Sequence, residues 1–187
     1  MKARWRAGVV LAVAAVAVQP AVRGQSKAVS DNAELSRMCQ EDQDDRKGGL
    51  YGIDWAVVKP RDDARLARTR ELYAADGLRT GADWFHAALI LQHSNEADDY
   101  LLAHEMSVAA VAQGYGEAKW LVAAAEDRFL MKIGRTQRFG TQYEAAAEPG
   151  RYRLAPTDPK VTDGLRAALG MNSLAEAKAA AGQFDKK

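Results

Sequence analysis

The fold of this chain is decided by the stretch TGADWFHAALILQH, residues 80–93. It begins with a Thr-x-x-Asp capping box, in which Thr80 and Asp83 satisfy backbone N–H groups at the start of a helix. Residues 84–91 are almost all apolar and leave no polar face. A helix that is apolar all round is usually buried. We therefore predict a central core helix over residues 83–93.

Two further helices are predicted directly after this one. Asn95 and Asp98 indicate a second capping box, which begins a helix that ends at Gly114. A third helix spans residues 117–133. Because the connecting loops are short, we expect antiparallel neighbours. The residues expected to face the core are Leu101, Leu102, Met106, Val108, Ala109 and Ala112 in one helix, and Trp120, Leu121, Ala124, Ala125 and Phe129 in the other.

Two helices and an extended stretch are predicted on the N-terminal side. A D-x-x-E cap at Asp31 begins a helix over residues 32–47. Residues 50–58 indicate an extended or turn-like segment. Pro60 then suits the first turn of a helix that ends at Gly77. The inner face of the first helix is expected to carry Leu35, Met38 and Cys39.

The periodicity changes after Gly134. Residues 137–143 and 151–154 predict a small β-hairpin near 137–154. Helices follow from Asp158-Pro159 to residue 169 and from Asn172-Ser173, and residues 183–187 are expected to fray. We predict a mainly α fold, either an antiparallel helical bundle or a short stack of helical hairpins with a small β-hairpin, as a single domain over residues 25–182.

The first 24 residues have the composition of a signal peptide. Basic residues at positions 2, 4 and 6 precede an apolar run over 7–18, and Val22 and Gly24 provide a small-residue cleavage site. The run is shorter than the roughly 20 residues that a membrane-spanning helix needs. We expect cleavage after Gly24 and a periplasmic or extracellular protein. An uncleaved N-terminal anchor is the alternative.

Charge and composition limit the expected partners. The net charge is +1, and cleavage would remove four basic side chains and no acid, which leaves −3. A mildly acidic domain argues against nucleic acid as a partner. No later segment is apolar for long enough to insert stably in a membrane after signal cleavage. The expected partner is a polar small molecule or a protein, and no cofactor motif is present.

Charged side chains interrupt two of the predicted apolar helix faces. Asp42 and Arg46 form an i,i+4 pair that continues the stripe of Leu35. Asp127 lies one turn after apolar residues, and Arg128 points about 100° away from it. Buried charges need specific partners. The loop over residues 137–142 is the nearest source of partners for Asp127 and Arg128.

Part of the chain resembles an uncharacterised family of bacterial proteins. The matching residues are Gln92-His93, Asp127-Arg128 and a Q-x-x-G-T-Q cluster at 137–142, with Asp42-Gln43 and Arg46 upstream. This resemblance implies no particular activity. The Ala-rich helices over 103–112 and 118–125 also look like tetratricopeptide-type hairpins, although only two such units are visible and arrays usually need three.

His93 is the candidate acid or base of the chain. It lies seven residues after His86, and their separation of about 10.5 Å along a helix is too large for joint metal binding. No metal site is therefore predicted. His93 ends the predicted core helix, where the helix dipole favours the charged imidazole. Alternatively, His93 and Asn95 satisfy cap and loop hydrogen bonds.

Two interpretations of these polar residues remain open. In the structural one, Asp127 and Arg128 hold the 137–142 loop against the helices. In the functional one, a single cleft combines catalytic His93 and Asp127 with the binding residues Asp42, Arg46, Arg128, Gln137, Thr141 and Gln142. The lack of a known catalytic motif favours an exported binding or scaffolding domain. The alternative is a hydrolase- or transferase-type enzyme.

Overall fold

The computed structural model describes residues 29–47 and 49–185, so the predicted signal peptide lies outside the described residues. The described chain is mainly α-helical with a small antiparallel β-hairpin, which confirms the predicted fold class. Within those ranges, no helix combines the length and apolarity that crossing a bilayer requires. The elements are α1 (Ala33–Asp44), α2 (Gly49–Gly52), α3 (Trp55–Ala74), α4 (Gly81–Leu91), α5 (Ala97–Ala112), α6 (Lys119–Lys132), β1 (Tyr143–Ala145), β2 (Tyr152–Leu154), α7 (Asp163–Ala168) and α8 (Leu174–Ala179).

α4 is the central helix of the core, as predicted. The capping box is present, because Thr80 accepts from the backbone N–H of Asp83 and the Asp83 carboxylate accepts from that of Thr80. Ala87, Ala88 and Leu91 of this helix are 0% exposed. α4 packs against α1, α3 and α5, and α5 packs in turn against α6. The small residues let the helix axes approach closely.

Two predicted helix starts in the N-terminal half are wrong. Residues 50–58 are not extended, because α2 occupies the first part and Asp54 caps α3 so that it starts at Trp55. Pro60 therefore lies inside α3, where its missing N–H leaves one helical bond unmade. The predicted box at Asn95 is also absent. The N-cap of α5 is Glu96, whose backbone N–H donates to the Ser94 hydroxyl.

The buried faces of α5 and α6 differ from those predicted. Leu101, Val108 and Trp120 are exposed. Ala103 and Met106 pack in the core instead, and Asp99 at the start of α5 accepts from Arg70 of α3. Alanines of α6 fill its contact with the core, so the indole of Trp120 lies outside. The buried residues of α5 are Asp99, Tyr100, Ala103, Met106, Ser107 and Ala110.

The C-terminal region carries the hairpin and two short helices. β1 and β2 pair antiparallel with Tyr143 opposite Leu154, so the first strand starts later than residue 137. α7 starts after a Thr162 cap rather than at the predicted Asp158-Pro159. α8 follows a capping box at Ser173, as predicted.

The described part of the predicted frayed tail is ordered by contacts with the hairpin. Gln183 and Phe184 belong to a 3₁₀ turn, Ala180–Phe184. The Asp185 carboxylate accepts from the backbone N–H of Tyr152 at 2.9 Å. Residues 183–185 therefore differ from the prediction, and residues 186–187 lie outside the described ranges.

Candidate functional site

A cluster of charged side chains is buried between α1 and α3. Arg46 donates to Asp42 at 2.9 Å and to Asp62 at 2.7 Å, and Arg65 also donates to Asp62 at 2.7 Å. Burial opposes ionisation of Asp62, but the bonds from both arginines outweigh it and hold the pKa of Asp62 below its usual value. Asp42 is only 1% exposed. The apolar stripe of α1 therefore does carry a buried ion pair.

His93 is oriented by this cluster. Its Nδ1 lies 3.0 Å from Oδ1 of Asp42. Asp42 also accepts from Arg46 and Gln43. An ionised carboxylate can only accept hydrogen bonds, so Nδ1 carries a proton. In the neutral imidazole, Nε2 then holds the lone pair, and Nε2 makes no hydrogen bond within the described part of the chain.

Arg128 on α6 has no acidic partner in the part of the chain that the structure describes. Its Nε is buried without a hydrogen-bond partner, and among residues 29–47 and 49–185 no carboxylate oxygen lies within 4.0 Å of its guanidinium. Burial lowers the pKa of Arg128; the nearby Tyr100 opposes this, and Arg46 adds to it. Arginine nevertheless stays charged in proteins. A guanidinium with a buried, unbonded Nε and no acidic partner is an incomplete anion site.

Arg46, His93 and Arg128 line one cleft of about 700 Å³. This volume is within the usual range of small-molecule sites. Residues from the start of α3, the loop after α4, α5 and α6 form its walls. Its apolar side chains are Ile53, Trp55 and Leu66, and its uncharged polar side chains include Gln92, Ser94, Asn95 and Tyr100.

The other cations of the cleft already have partners. Lys59 lies 2.6 Å from a carboxylate oxygen of Asp63. Arg70 donates from Nε to Asp99 at 3.0 Å. Arg46 pairs with acids of α1 and α3, as described above. Among the arginine and lysine side chains of the cleft, Arg128 is thus the one with no acid within 4.0 Å in the described ranges, and the carboxylate of Glu96 also lines the cleft.

Asp127 belongs to a separate cluster that holds the loop over residues 137–142. The carboxylate is 0% exposed. Oδ1 accepts from the backbone N–H groups of Arg138 and Phe139, at 2.6 and 3.0 Å. Oδ2 accepts from the N–H and the hydroxyl of Thr141, at 3.1 and 2.8 Å. Gly140, with φ +81°, provides the turn that brings these donors together.

Two further buried side chains hold the same loop. Gln137 donates to the carbonyls of Gln142 and Ala155 and accepts from the N–H of Gln142. Arg166 of α7 donates to the carbonyl oxygens of Phe139 and Arg138. The backbone polar groups of the loop are thus satisfied by buried side chains, which fixes the loop against α6.

The structure divides the eight predicted site residues into two groups. Asp42, Arg46, His93 and Arg128 come together at the cleft. Asp42, rather than Asp127, is the carboxylate that contacts His93. The loop cluster contains the other four: Asp127, Gln137, Thr141 and Gln142.

Sequence reasoning missed much of the cleft lining, including Asp62 and Tyr100. Asp62 lies four residues from both Val58 and Leu66 and so interrupts an apolar stripe, which is the signal that identified Asp42. Tyr100 had no such signal, because the buried face of α5 was wrongly predicted. Its hydroxyl donates to the carbonyl of Ser94.

The remaining reactive side chains are engaged elsewhere. His86 Nδ1 contacts the Ser36 hydroxyl at 3.3 Å, and burial lowers the pKa of His86. Burial, assisted by Asp42, raises the pKa of Cys39 to about 12, so the thiol stays protonated and is a poor nucleophile. No group of three or more His, Cys, Asp or Glu residues in the described ranges could hold a metal ion.

Comparisons with protein-family models, curated proteins and solved structures gave no match for this chain. The resemblance to an uncharacterised bacterial family therefore stays a prediction. Function is inferred from the chemistry of the cleft itself.

Proposed function

We propose that this chain binds a small anionic molecule in the cleft, with Arg128 as the main anion-binding group. The observation that carries the proposal is an arginine with a buried, unbonded Nε and no carboxylate partner among the described residues, at a cavity of ligand size. Arginine binds carboxylate and phosphate groups through two parallel hydrogen bonds. An anion would supply the missing partner and offset the cost of burying the charge.

The surroundings of Arg128 support binding rather than a purely structural role. Asp127 ties α6 to the loop, so the next residue projects from a rigid helix. Asp42 orients His93, whose Nε2 can accept from a neutral ligand group or, when protonated, donate to an anion.

Calorimetric titration with acetate, inorganic phosphate and larger organic anions tests this proposal. Arg128→Gln should weaken binding at least about tenfold, since a hydrogen bond to a charged group contributes roughly 1.5–3 kcal/mol. Lys132→Gln is the matched control, because Lys132 is an exposed cation on the same helix. Equal affinity of the two variants for every anion would refute the proposal.

A second candidate function is a hydrolase- or transferase-type activity with His93 as general base. The Asp42–His93 hydrogen bond favours it, because a carboxylate that orients an imidazole is a common arrangement for proton transfer. Nε2 would take a proton from an attacking water or hydroxyl, and Arg128 would stabilise the negative charge that develops on the substrate.

His93→Gln tests this activity against His104→Gln, since the His104 Nδ1 contacts only the carbonyl of Val122. Ester and phosphoester substrates should turn over at least about a hundredfold more slowly with the first variant, and the second should keep full activity. If anions bind in an Arg128-dependent way but neither substrate class is turned over, the chain is a binding protein only.

We also propose that the chain acts in the periplasm or outside the cell, as its predicted signal peptide indicates. Val13→Arg interrupts the apolar run of that segment. The variant should accumulate uncleaved in the cytoplasm, as measured by fractionation and mass spectrometry. A wild-type chain found intact in the cytoplasm would contradict export.

A protein partner is the remaining alternative. The likeness of α5 and α6 to tetratricopeptide-type hairpins supports a scaffolding role, because such hairpins commonly present binding surfaces. The exposed side chains of Leu101 and Val108 on α5 would then contact the partner. A double change of these residues to Ser should abolish partner capture without affecting anion binding.

A further inference from the structure

The lining of the cleft narrows the class of ligand, on the condition that Arg128 binds an anion as proposed. Apart from Arg128, the arginine and lysine side chains at the cleft are neutralised by acids. A dianion would therefore leave one charge without a partner, in a cleft that the Glu96 carboxylate also lines, which is costly. The lining favours a monoanion. The neutralising pairs are Arg46–Asp62, Lys59–Asp63 and Arg70–Asp99.

The shape of the Arg128 guanidinium favours a carboxylate. A guanidinium is planar, and its paired N–H groups match the two oxygens of one carboxylate. Because the Nε of Arg128 is buried, a carboxylate would bind its two terminal nitrogens, which make no hydrogen bond within the described residues.

A hydrogen-bond acceptor lies at the same cleft. Gln92 is only 3% exposed, and its Oε1 has no donor among the described residues. Gln92 is also the C-cap residue of α4, so its backbone is fixed. The Nε2 of His93, at the next position, is a second acceptor when the imidazole is neutral. A ligand hydroxyl or amine could donate to these groups.

The apolar side chains of the cleft favour an apolar part of the ligand. Ile53, Trp55 and Leu66 face the cleft, and Trp55 is 51% exposed although it is the largest of them. An exposed indole gains from contact with an aromatic or aliphatic group of the ligand. The cleft can therefore hold an apolar body as well as a charged head.

We infer that the ligand is a monocarboxylic acid with an apolar, ring-sized body and a hydrogen-bond donor next to the carboxylate, as in aryl-substituted 2-hydroxy acids. The carboxylate binds Arg128, the hydroxyl donates towards Gln92 or His93, and the ring contacts Trp55. Each part of the ligand thus meets a different residue, so the parts can be tested separately.

A ligand series on the unmodified 187-residue chain tests this inference. The probe is 3-phenyllactate, with four analogues: lactate lacks the ring, hydrocinnamate lacks the hydroxyl, phenyllactamide lacks the charge, and phenyl phosphate can carry a second charge. Calorimetry should show phenyllactate binding about tenfold or more tightly than each analogue, because each lost contact costs about 1.4 kcal/mol or more.

Two variants assign the contacts. Trp55→Ala should remove the preference for phenyllactate over lactate, whereas Trp120→Ala, which changes another exposed tryptophan, should keep it. Arg128→Gln should remove the preference for phenyllactate over phenyllactamide, and Lys132→Gln should keep it. Circular dichroism verifies that each variant is folded.

The outcomes separate this inference from the proposed function. If phenyl phosphate or inorganic phosphate binds most tightly and this depends on Arg128, the cleft is an anion site but the carboxylic acid inference is wrong. If no anion binds in an Arg128-dependent manner, both fail. Equal binding of lactate and phenyllactate would refute the apolar part of the inference.

Discussion

Asp127 and Arg128 are consecutive residues of α6, but their surroundings are opposite. The Asp127 carboxylate accepts from backbone N–H groups and the Thr141 hydroxyl of one loop. The Arg128 guanidinium lies at a cleft with its Nε buried and unbonded, and it has no acidic partner among the described residues. Because neighbours on a helix point about 100° apart, one residue can hold the structure while the next faces a ligand.

This difference shows how a buried charge can be interpreted. A charge whose hydrogen-bonding capacity is filled by the protein contributes to the fold, and its loss leaves several donors unsatisfied. A charge whose capacity is unfilled costs stability, and a protein retains it where a ligand completes the bonding. Removing the charge should therefore lower the free energy of unfolding at Asp127, and should leave it unchanged or raise it at Arg128.

The largest effect is expected from Asp127→Asn. An amide has one acceptor oxygen and would turn an N–H group towards donors, so the loop would lose bonds inside the core. We expect the free energy of unfolding to fall by about 3 kcal/mol in urea denaturation. Glu126→Gln is the control, since Glu126 pairs only with the partly exposed Arg138. Equal losses in the two variants would contradict the account of the loop.

Thr141→Val tests one side chain of the same cluster. It removes the hydroxyl that donates to Asp127 at 2.8 Å and accepts from the Gln142 side-chain amide at 2.9 Å, but keeps the backbone N–H contact and a similar side-chain shape. The unfolding free energy should fall by about 1 kcal/mol. In a double-mutant cycle with Asp127→Asn, the losses should not add, because the two side chains share this bond. Full additivity would show that they act independently.

Arg128→Met should not lower the free energy of unfolding as the Asp127 change does. Methionine fills much of the space of the side chain without a charge to desolvate. We expect the unfolding free energy in the absence of ligand to stay the same or rise by up to about 1 kcal/mol. A loss of more than about 1 kcal/mol would mean that the guanidinium already has stabilising contacts, contrary to the comparison with Asp127.

Acid should weaken the ion pairs beside the cleft, and we expect this effect to be the smallest. Burial opposes ionisation of Asp62, but bonds from Arg46 and Arg65 keep its folded pKa below its unfolded value. Its contribution is therefore complete above pH of about 3.9 and is lost as the pH falls through the lower folded pKa. Asp62→Asn should make the free energy of unfolding, measured in urea, less dependent on pH in this range. An unchanged pH dependence would contradict the pairing of Asp62 with the arginines.

The helical framework and the buried charges were predictable from local sequence. The capping box at Thr80 and the apolar stretch after it identify the central helix. Asp42 and Asp127 interrupt apolar faces, and both are buried. These predictions succeed because helix periodicity and the cost of burying charge are local properties of a sequence.

The Asp42–Arg46 pair and the contact of Asp127 with the 137–142 loop were predicted, but contacts between distant helices were not. His93 contacts Asp42 across 51 positions of the sequence, and no spacing rule links them. The predicted orientation of α5 was wrong because Leu101 and Val108 lie on an apolar stripe that looks, in the sequence, like the face that is buried. The face of α5 that is buried carries Ala103 and Met106, which pack in the core, and Asp99, which pairs with Arg70 of another helix. Such contacts depend on tertiary packing, which overrides local pattern.

The most direct test of the central claim measures unfolding in urea with and without an excess of 3-phenyllactate. A ligand at about 100 times its dissociation constant stabilises the folded state by about 2.7 kcal/mol. We predict this gain for the wild-type chain and for Lys132→Gln, and no gain for Arg128→Gln. A gain of equal size in Arg128→Gln would show that the unpaired guanidinium does not bind the ligand.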